Sequence, residues 1–366
     1  MRPIRVAFVV QGEGRGHMTQ ALALAGFLTD AGHEIVAVLV GTSPHRTVPG
    51  YFVDGMRAPV ITFDAPTQVP DRDRRGVSVL ATARDAALRT PRFFRSGLEI
   101  HRRTAGADVV VNLLDLVGGA SRLLFRSRVP AVAIAHNHLF AHPGIGNLPG
   151  RPHARRLVRL YTEATALRSV TRVALSFVPM AAPDGIALEV APPLLRPGLD
   201  ALEPHDGGYL LVYALNAGYG DLVARWQAGR EDVVVHCYVD GGSAALRDAG
   251  GPGFHAHPLD QEAFLKHLAG CRGFVGSAGF ESLCEAFYLG KPVLTVPTDG
   301  QLEQTWNAWD AERRGVARWG TWRDLASFHH SPGLPDPRPV GDFRAWVRSA
   351  PERHVAIVER AASDRT

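Results

Sequence analysis

Two stretches hold residues whose types and spacing could do chemistry. The first is "VVQGEGRGHMTQ" (Val9–Gln20), where Gly12, Gly14 and Gly16 alternate and His17 follows at once. It stands between a buried-strand run, Ile4–Val10, and a helical period at Met18, Ala21, Leu22, Ala25 and Leu28. A dinucleotide fingerprint shares that setting, but it needs G-x-G-x-x-G and an acidic residue near the end of the second strand. Here the spacing is G-x-G-x-G, and the second strand ends "VLVGTS" without a carboxylate. The glycines therefore read as clearance, letting the backbone turn sharply and a ligand come close. They expose His17 in the first turn of a helix, where the charged imidazole is disfavoured and a general base is well placed. A capping or core histidine with a satisfied hydrogen bond is the plainer alternative.

The second stretch is "GFVGSAGFESLCEAFYLGKPVLTVPTDGQLEQTWNA" (Gly273–Ala308). A buried strand ends at Val275, "GSAG" is small and flexible, and a helix begins. Backbone N–H groups at such a turn, with the Ser277 and Ser282 hydroxyls, make an anion site suited to a phosphate. Glu285 lies six residues past Gly279, placed to accept from ribose hydroxyls one step further out. Gly290 stops the helix. After "VLTVP" the loop "TDGQLEQ" brings Glu303 and Gln304, whose groups can hydrogen-bond sugar hydroxyls. At another strand end, "AHNHLFAHPGIGNLPGRPH" offers Asn137 and His138 as acceptor contacts. Its histidines, His136, His138, His142 and His153, lack the spacing of a metal site, and no other His/Asp/Cys set has it.

These loops need strands to position them, and apolar strand runs do alternate with helical patterns. Ile4–Val10, Glu34–Val40, Pro59–Phe63, Ala107–Leu114 and Val129–His136 read as strands of a first half, with one or two helices over Val77–Ala105 broken near Pro91. "APPLLRPGLDALEPHDGG" (Ala191–Gly208), with four prolines and three glycines, marks a linker. The pattern then restarts with Tyr209–Leu215, Asp232–Val239, Cys271–Gly276 and Pro292–Pro297, and Phe343–Ala362 reads as one final helix. Strand and helix in alternation mean parallel sheets covered on both faces. The expected architecture is α/β: two doubly wound Rossmann-like domains facing across a cleft. They span 1–197 for the acceptor and 208–342 for the donor, with a linker at 198–207 and a helix at 343–366 that could cross back to the first domain.

Composition narrows the class. The 366 residues are 46% apolar and 21% charged, enough for packed cores, and the formal charge is only +4. The basic clusters "PDRDRRG" (Pro70–Gly76) and "RPHARRLVR" (Arg151–Arg159) read as solvated faces or a patch for an anionic partner, and no interleaved aromatics point to nucleic acid. Two of the 40 basic residues are lysine, a coding bias rather than a function. Cys237, Cys271 and Cys284 show no paired spacing, which argues for a reducing compartment. No run reaches the ~18 apolar residues of a membrane span. A cytoplasmic protein is expected, a monomer or homodimer with peripheral membrane contact open to it.

The second stretch resembles the nucleotide-sugar-binding region of GT-B glycosyltransferases. The likeness is to the group containing the MurG-type N-acetylglucosaminyltransferase and the family 1 enzymes. Ser277–Gly279, Ser282, Glu285, "GKPVLTVP", Glu303–Gln304 and Asn307–Ala308 follow the family's order, and "GRGHMTQALALA" resembles its "GGH" loop and helix. The resemblance implies that Gly14 and Gly16 face the donor and that His17 is the base or a phosphate-side contact. It implies that Ser277, Gly279, Phe280 and Ser282 cradle the diphosphate, that Glu285 holds the ribose, and that Glu303 and Gln304 hold the sugar. Leu259 would meet the base through its backbone, and Asn216 and Gly218 would approach the phosphates. In many relatives an aspartate after a later strand orients the histidine, and Asp115 closes "VVVNLLD". Its alternative is to cap the helix that follows.

There are departures from the family pattern. Family 1 members often carry histidine where Ser277 stands, and the MurG-type loop has Gln where Glu303 stands. Retaining GT-B enzymes often show two glutamates with seven residues between them, but counting back from Glu285 reaches Ser277. Inversion is therefore expected. No Asp-x-Asp lies near the donor loop, so the leaving diphosphate would rest on amides and hydroxyls, without a metal or other cofactor. The expected substrates are a UDP- or TDP-type sugar and a small-molecule or lipid-linked acceptor. A non-hydrolysing nucleotide-sugar 2-epimerase and a non-catalytic nucleotide- or glycan-binding protein are the alternatives.

Overall fold

The computed structural model describes residues 2–43, 47–67, 69, 78–146, 148, 154–214, 217–239, 246 and 249–364. The chain divides into two compact units. The first holds the residues up to Val69, Val79–Arg196 and everything from Ala345 on, and the second is built on Pro197–Arg344.

Among the described residues the first unit has seven strands, the central ones apolar runs buried on both faces and the outer ones partly exposed: β1 (Arg5–Gln11), β2 (Glu34–Thr42), β3 (Val60–Asp64), β4 (Val109–Leu113), β5 (Ala131–Ala135), β6 (Thr171–Leu175) and β7 (Leu188–Ala191). All pair in parallel, in the order β3-β2-β1-β4-β5-β6-β7. β4 and β5 are buried at every residue, as a sheet covered on both faces requires. The order reverses between β1 and β4. The loops leaving those two strands therefore diverge, and a crevice opens at their carboxyl ends. His17 follows β1 and Asp115 follows β4.

The second unit repeats the plan. Its strands are β8 (Tyr209–Ala214), β9 (Val234–Val239), β10 (Phe254–His257), β11 (Gly273–Gly276), β12 (Val293–Thr295) and β13 (Arg318–Trp319), again all parallel, in the order β10-β9-β8-β11-β12-β13. The reversal falls between β8 and β11, so the "GSAG" loop leaves the sheet at its switch point. No helix among the described residues is long and apolar enough to cross a membrane.

Several elements differ from the sequence reading. β6, β7, β10 and β13 are short and partly polar strands that periodicity did not mark. Pro91 sits inside an unbroken helix, Val79–Thr104. A proline removes one backbone bond, but Arg89, Ser96 and Ile100 on its buried face hold both sides of it to the unit. The single final helix is two, Pro337–Arg348 and Ala350–Ser363, divided at Ser349 with Pro351 in the first turn of the second. The second of these belongs to the first unit. Trp346 Nε1 donates to Ser176 O (3.0 Å), His354 Nε2 meets Pro192 O (3.0 Å), and His33 Nε2 meets Glu359 (3.2 Å).

The helix that starts at Leu116 packs tightly enough to need glycine. A Cβ on Gly119 would strike the carbonyl of Ala164 and stand 2.6 Å from that of Thr165, both backbone atoms that cannot swing away. Gly119→Ala should therefore destabilise the chain by about 1–3 kcal/mol, read as a lower urea midpoint with an unchanged slope.

Candidate functional site

In the first unit the glycine loop divides its labour. Gly12 N donates to Gly41 O (2.9 Å), and a Cβ on Gly12 would strike that carbonyl and come within 2.9 Å of Val40. Gly12 is therefore a packing residue that lays the loop against β2. Gly14 is the N-cap of the Arg15–Asp30 helix, extended at φ −103°, with no capping side chain and nothing within 4 Å of where a Cβ would stand. Gly16 follows inside the first turn.

His17 is partly buried in that turn. Its Nδ1 lies 3.2 Å from Gln20 Oε1. An amide oxygen only accepts, so Nδ1 carries the proton and Nε2 keeps the lone pair. Gln20 is 1% exposed and went unnoticed in the sequence. Its only signal there is the three-residue spacing that puts two side chains on one helix face.

Asp115 sits where a strand hands over to a helix. Leu114 adopts a left-handed φ of 59°, and buried Asn112 clamps the bend: its Oδ1 accepts from Asp115 N (2.9 Å), and its Nδ2 donates to Asp115 O (2.9 Å) and Thr165 O (2.6 Å). The Asp115 side chain caps the Leu116–Leu124 helix, accepting from Gly118 N at 2.7 Å. It also lies flush on β2, since a Cβ on Gly41 would stand 2.5 Å from Oδ2. Burial pushes its carboxyl up to about 7, against the opposing pull of the Gly118 and Val117 amides. Of the two readings, capping is what the geometry shows. No hydrogen bond joins Asp115 to His17 among the described residues.

At the end of β5 the chain makes a tight turn, His136–Ala141. Asn137 and His138 are each 2% exposed, yet Asn137 Nδ2 and His138 Nε2 have no hydrogen-bond partner. Burial, then Arg172, holds the His138 imidazole down to about 3, so it stays neutral. His136 Nδ1 meets Leu175 O (2.7 Å), and His142 Nε2 meets Ala181 O (2.8 Å) while its Nδ1 accepts from Gly144 N (3.0 Å). His153 and Asn216 lie outside the described residues.

In the second unit β11 leads to buried Ser277, then to Ala278 at a left-handed φ of 57°, then to Gly279 as N-cap of the Phe280–Tyr288 helix. No side chain caps Gly279. Asn307 Nδ2 donates to Ala278 O (3.0 Å) and holds the bend, while its Oδ1 is buried without a partner. Ser282 Oγ donates to Gly279 O (3.0 Å), so the hydroxyl hydrogen is spent on the turn itself. Phe280 is buried, and Glu285 is 0% exposed, so a ribose reaches its carboxylate only where that packing opens. Gln304 Oε1 accepts from Thr298 N (2.8 Å), which leaves the amide N–H of Gln304 uncommitted by that bond; Glu303 next to it in the chain is partly exposed. Tyr219, missed in the sequence, accepts from Asp299 N (3.1 Å) and stacks on Trp322 at 5.1 Å, bracing the same loop. Leu259 is half-buried just after β10, and Gly218 is buried in the first turn of the Ala217–Gln227 helix.

Comparison with known proteins gives the family and the fold. The model of glycosyl transferase family 1 matches residues 4–330. No curated protein matches in sequence. Among solved structures, the calicheamicin glycosyltransferase CalG4 is 18% identical, covers 100% of this chain and 99% of its own, and superposes with a TM-score of 0.60. MurG of Acinetobacter baumannii is 15% identical over 98% of this chain and 100% of its own, with a TM-score of 0.58. LpCGTa, solved in complex with UDP, is 15% identical over 99% of each chain, with a TM-score of 0.60. At these identities the structures share the fold: two parallel Rossmann-like sheets with flanking helices.

Asp115 gives a pH dependence whose sign follows from its environment. Its carboxyl is raised from 3.8 to about 7 on folding, so its contribution to stability is full below pH ~4 and is lost as pH rises through ~7. Asp115→Asn keeps the cap acceptor and removes the charge. Melting temperatures of the two proteins should converge near pH 4, and by pH 8 the variant should melt several degrees higher. Parallel profiles would show that the carboxyl does not titrate in this range.

Proposed function

The chain belongs to glycosyl transferase family 1, and from that premise we propose that it moves a sugar, with inversion, from a nucleoside-diphosphate donor to an acceptor hydroxyl, with His17 as the base. The observation that carries the reading is the His17–Gln20 contact, which leaves Nε2 as the basic atom at the carboxyl end of β1. In the reaction Nε2 takes the acceptor proton, the acceptor oxygen bonds to the anomeric carbon, and the bond from that carbon to the diphosphate breaks from the opposite side. The leaving diphosphate collects charge that the uncapped helix start at Gly279 suits, through backbone N–H groups and the helix dipole. No cofactor or metal enters this scheme. The missing second glutamate before Glu285 supports inversion over retention.

For the donor, the UDP held by one structural neighbour supports a uridine nucleotide or its thymidine analogue. For the acceptor, the unpartnered Asn137 Nδ2 and His138 Nε2 are two buried polar atoms at one strand end that a hydroxylated ligand would satisfy. Gln304 and Glu303 remain the groups for the donor sugar.

Release of nucleoside diphosphate from a UDP- or TDP-sugar only when acceptor is present is the expected signature. Conversion of the sugar without an acceptor would instead mark an epimerase. His17→Ala should lower kcat by roughly 10²–10⁴-fold while UDP affinity by calorimetry stays within a factor of about two. Unchanged turnover would remove His17 from the mechanism. Gln20→Glu should raise the acidic limb of the kcat/KM profile, because an anionic partner favours the imidazolium. A limb that does not move would separate Gln20 from His17.

A further inference from the structure

β9 and β10 pair with Tyr238 opposite His257 and His236 opposite His255. Val235, Cys237 and Val239 of β9, with Phe254 and Ala256 of β10, point into the hydrophobic core. Strand alternation therefore sends His236 and His257 to the other face. The Gln261–Gly270 helix covers that face and contributes His267 from its last turn. Ring centroids are 5.0 Å apart for His236–His257, 4.2 Å for His236–His267 and 4.9 Å for His257–His267. One ring nitrogen from each of the three lies within 4.8 Å of the other two, and all three side chains are partly exposed.

We infer that His236, His257 and His267 form a binding site for a divalent transition-metal ion of the zinc class, made of residues that the proposed sugar transfer does not use. Imidazole nitrogen is the donor that such ions prefer, and three of them meet the minimum set of a site with an open position. A metal–nitrogen bond of ~2.05 Å in tetrahedral geometry needs donor atoms ~3.3 Å apart. The widest separation must therefore close by about 1.5 Å from 4.8 Å, a movement that side-chain rotation supplies. His236 Nδ1 and His257 Nε2, now hydrogen-bonded at 2.8 Å, must open slightly, so the ion takes the place of their shared proton. The neighbours already orient the third ligand. Tyr238 Oη meets His267 Nδ1 at 2.7 Å, leaving Nε2 for the ion, and Tyr209 Oη donates to His267 O at 2.9 Å. The ion would stitch the edge strand β10 and the covering helix to β9.

The test uses the full untagged chain, stripped with a chelator and then dialysed. Zn²⁺ should bind with one-to-one stoichiometry by calorimetry and raise the melting temperature by several degrees, and Mg²⁺ should do neither. Co²⁺ should develop the intense visible absorption of a nitrogen-ligated low-coordinate ion. His267→Gln and His257→Gln should each weaken Zn²⁺ binding at least ~10-fold with the circular dichroism spectrum kept. The Co²⁺ spectrum of the unaltered chain is independent of how the variants fold. Zn²⁺ affinity unchanged in both variants, or Co²⁺ that keeps the spectrum of the hydrated ion, would overturn the site.

Discussion

Both units hang on the same bend. A parallel strand must release its chain at the carboxyl end, reverse direction and start a helix within two or three residues. In each unit the residue that turns is not glycine: Leu114 after β4 and Ala278 after β11, both in the left-handed region. That conformation costs roughly 1–2 kcal/mol for a residue with a Cβ. It persists because a buried asparagine fixes each bend. Asn112 reaches forward across its own loop, and Asn307 reaches in from a later helix to the Ala278 carbonyl. The cap that follows, Asp115 or Gly279, then sets the helix start. One device thus fixes both loops at the two points where strand order reverses.

The two bends are completed differently, and chemistry explains why. Asp115 satisfies its helix with a carboxylate, buried where a charge is expensive, between Gly41 and Gly118. A group whose carboxyl sits near 7 is only partly ionised at neutral pH, so it makes an unsteady counter-charge for an imidazolium. Gln20 is the partner His17 has in this structure, and its amide oxygen, turned to Nδ1, suits a neutral ring with the proton on that nitrogen. It gives up the charge stabilisation that an aspartate would supply. Gly279 carries no capping side chain, so backbone N–H groups of that helix start remain for the anion proposed to bind there.

Much of this was legible in the sequence, and the limits have physical causes. The apolar strands announce themselves as runs, so β1, β2, β3, β4, β5, β8, β9, β11 and β12 are read from the sequence, and with them the loops that hold His17, Asp115 and Ser277. The short, partly polar β6, β7, β10 and β13 are not. "FHAH" alternates faithfully, with Phe254 and Ala256 inward, but four residues with two histidines are too short and too polar to stand out as a strand. Pro91 misled because a local rule yielded to the packing of a long amphipathic helix. Gln20 and Tyr219 carry no motif, and their roles exist only once a helix face or a loop is folded. The His236–His257–His267 cluster is the extreme case, since sequence separations of 21 and 10 residues mean nothing until β9 and β10 pair.

The donor half also shows how few side chains remain to read a ligand. Asn307 and the Ser282 hydroxyl hydrogen are committed to the bend, Gln304 spends its oxygen on Thr298, and Lys291 donates to the carbonyls of His205 and Cys271. Glu285 lies within the helix's buried face. Among the described residues proposed for the donor, the amide of Gln304, Glu303 and backbone N–H groups at the helix start are among those not committed in this way. Backbone N–H groups grip phosphate oxygens whatever base or sugar is attached. On the proposed reading, selectivity among nucleotide sugars would fall on Glu303 and the Gln304 amide. Replacing the glutamine of the MurG-type loop with Glu303 exchanges a group that can donate or accept for one that only accepts. In the proposed role, a sugar presenting a hydroxyl donor at that point would be favoured over one presenting only an acceptor.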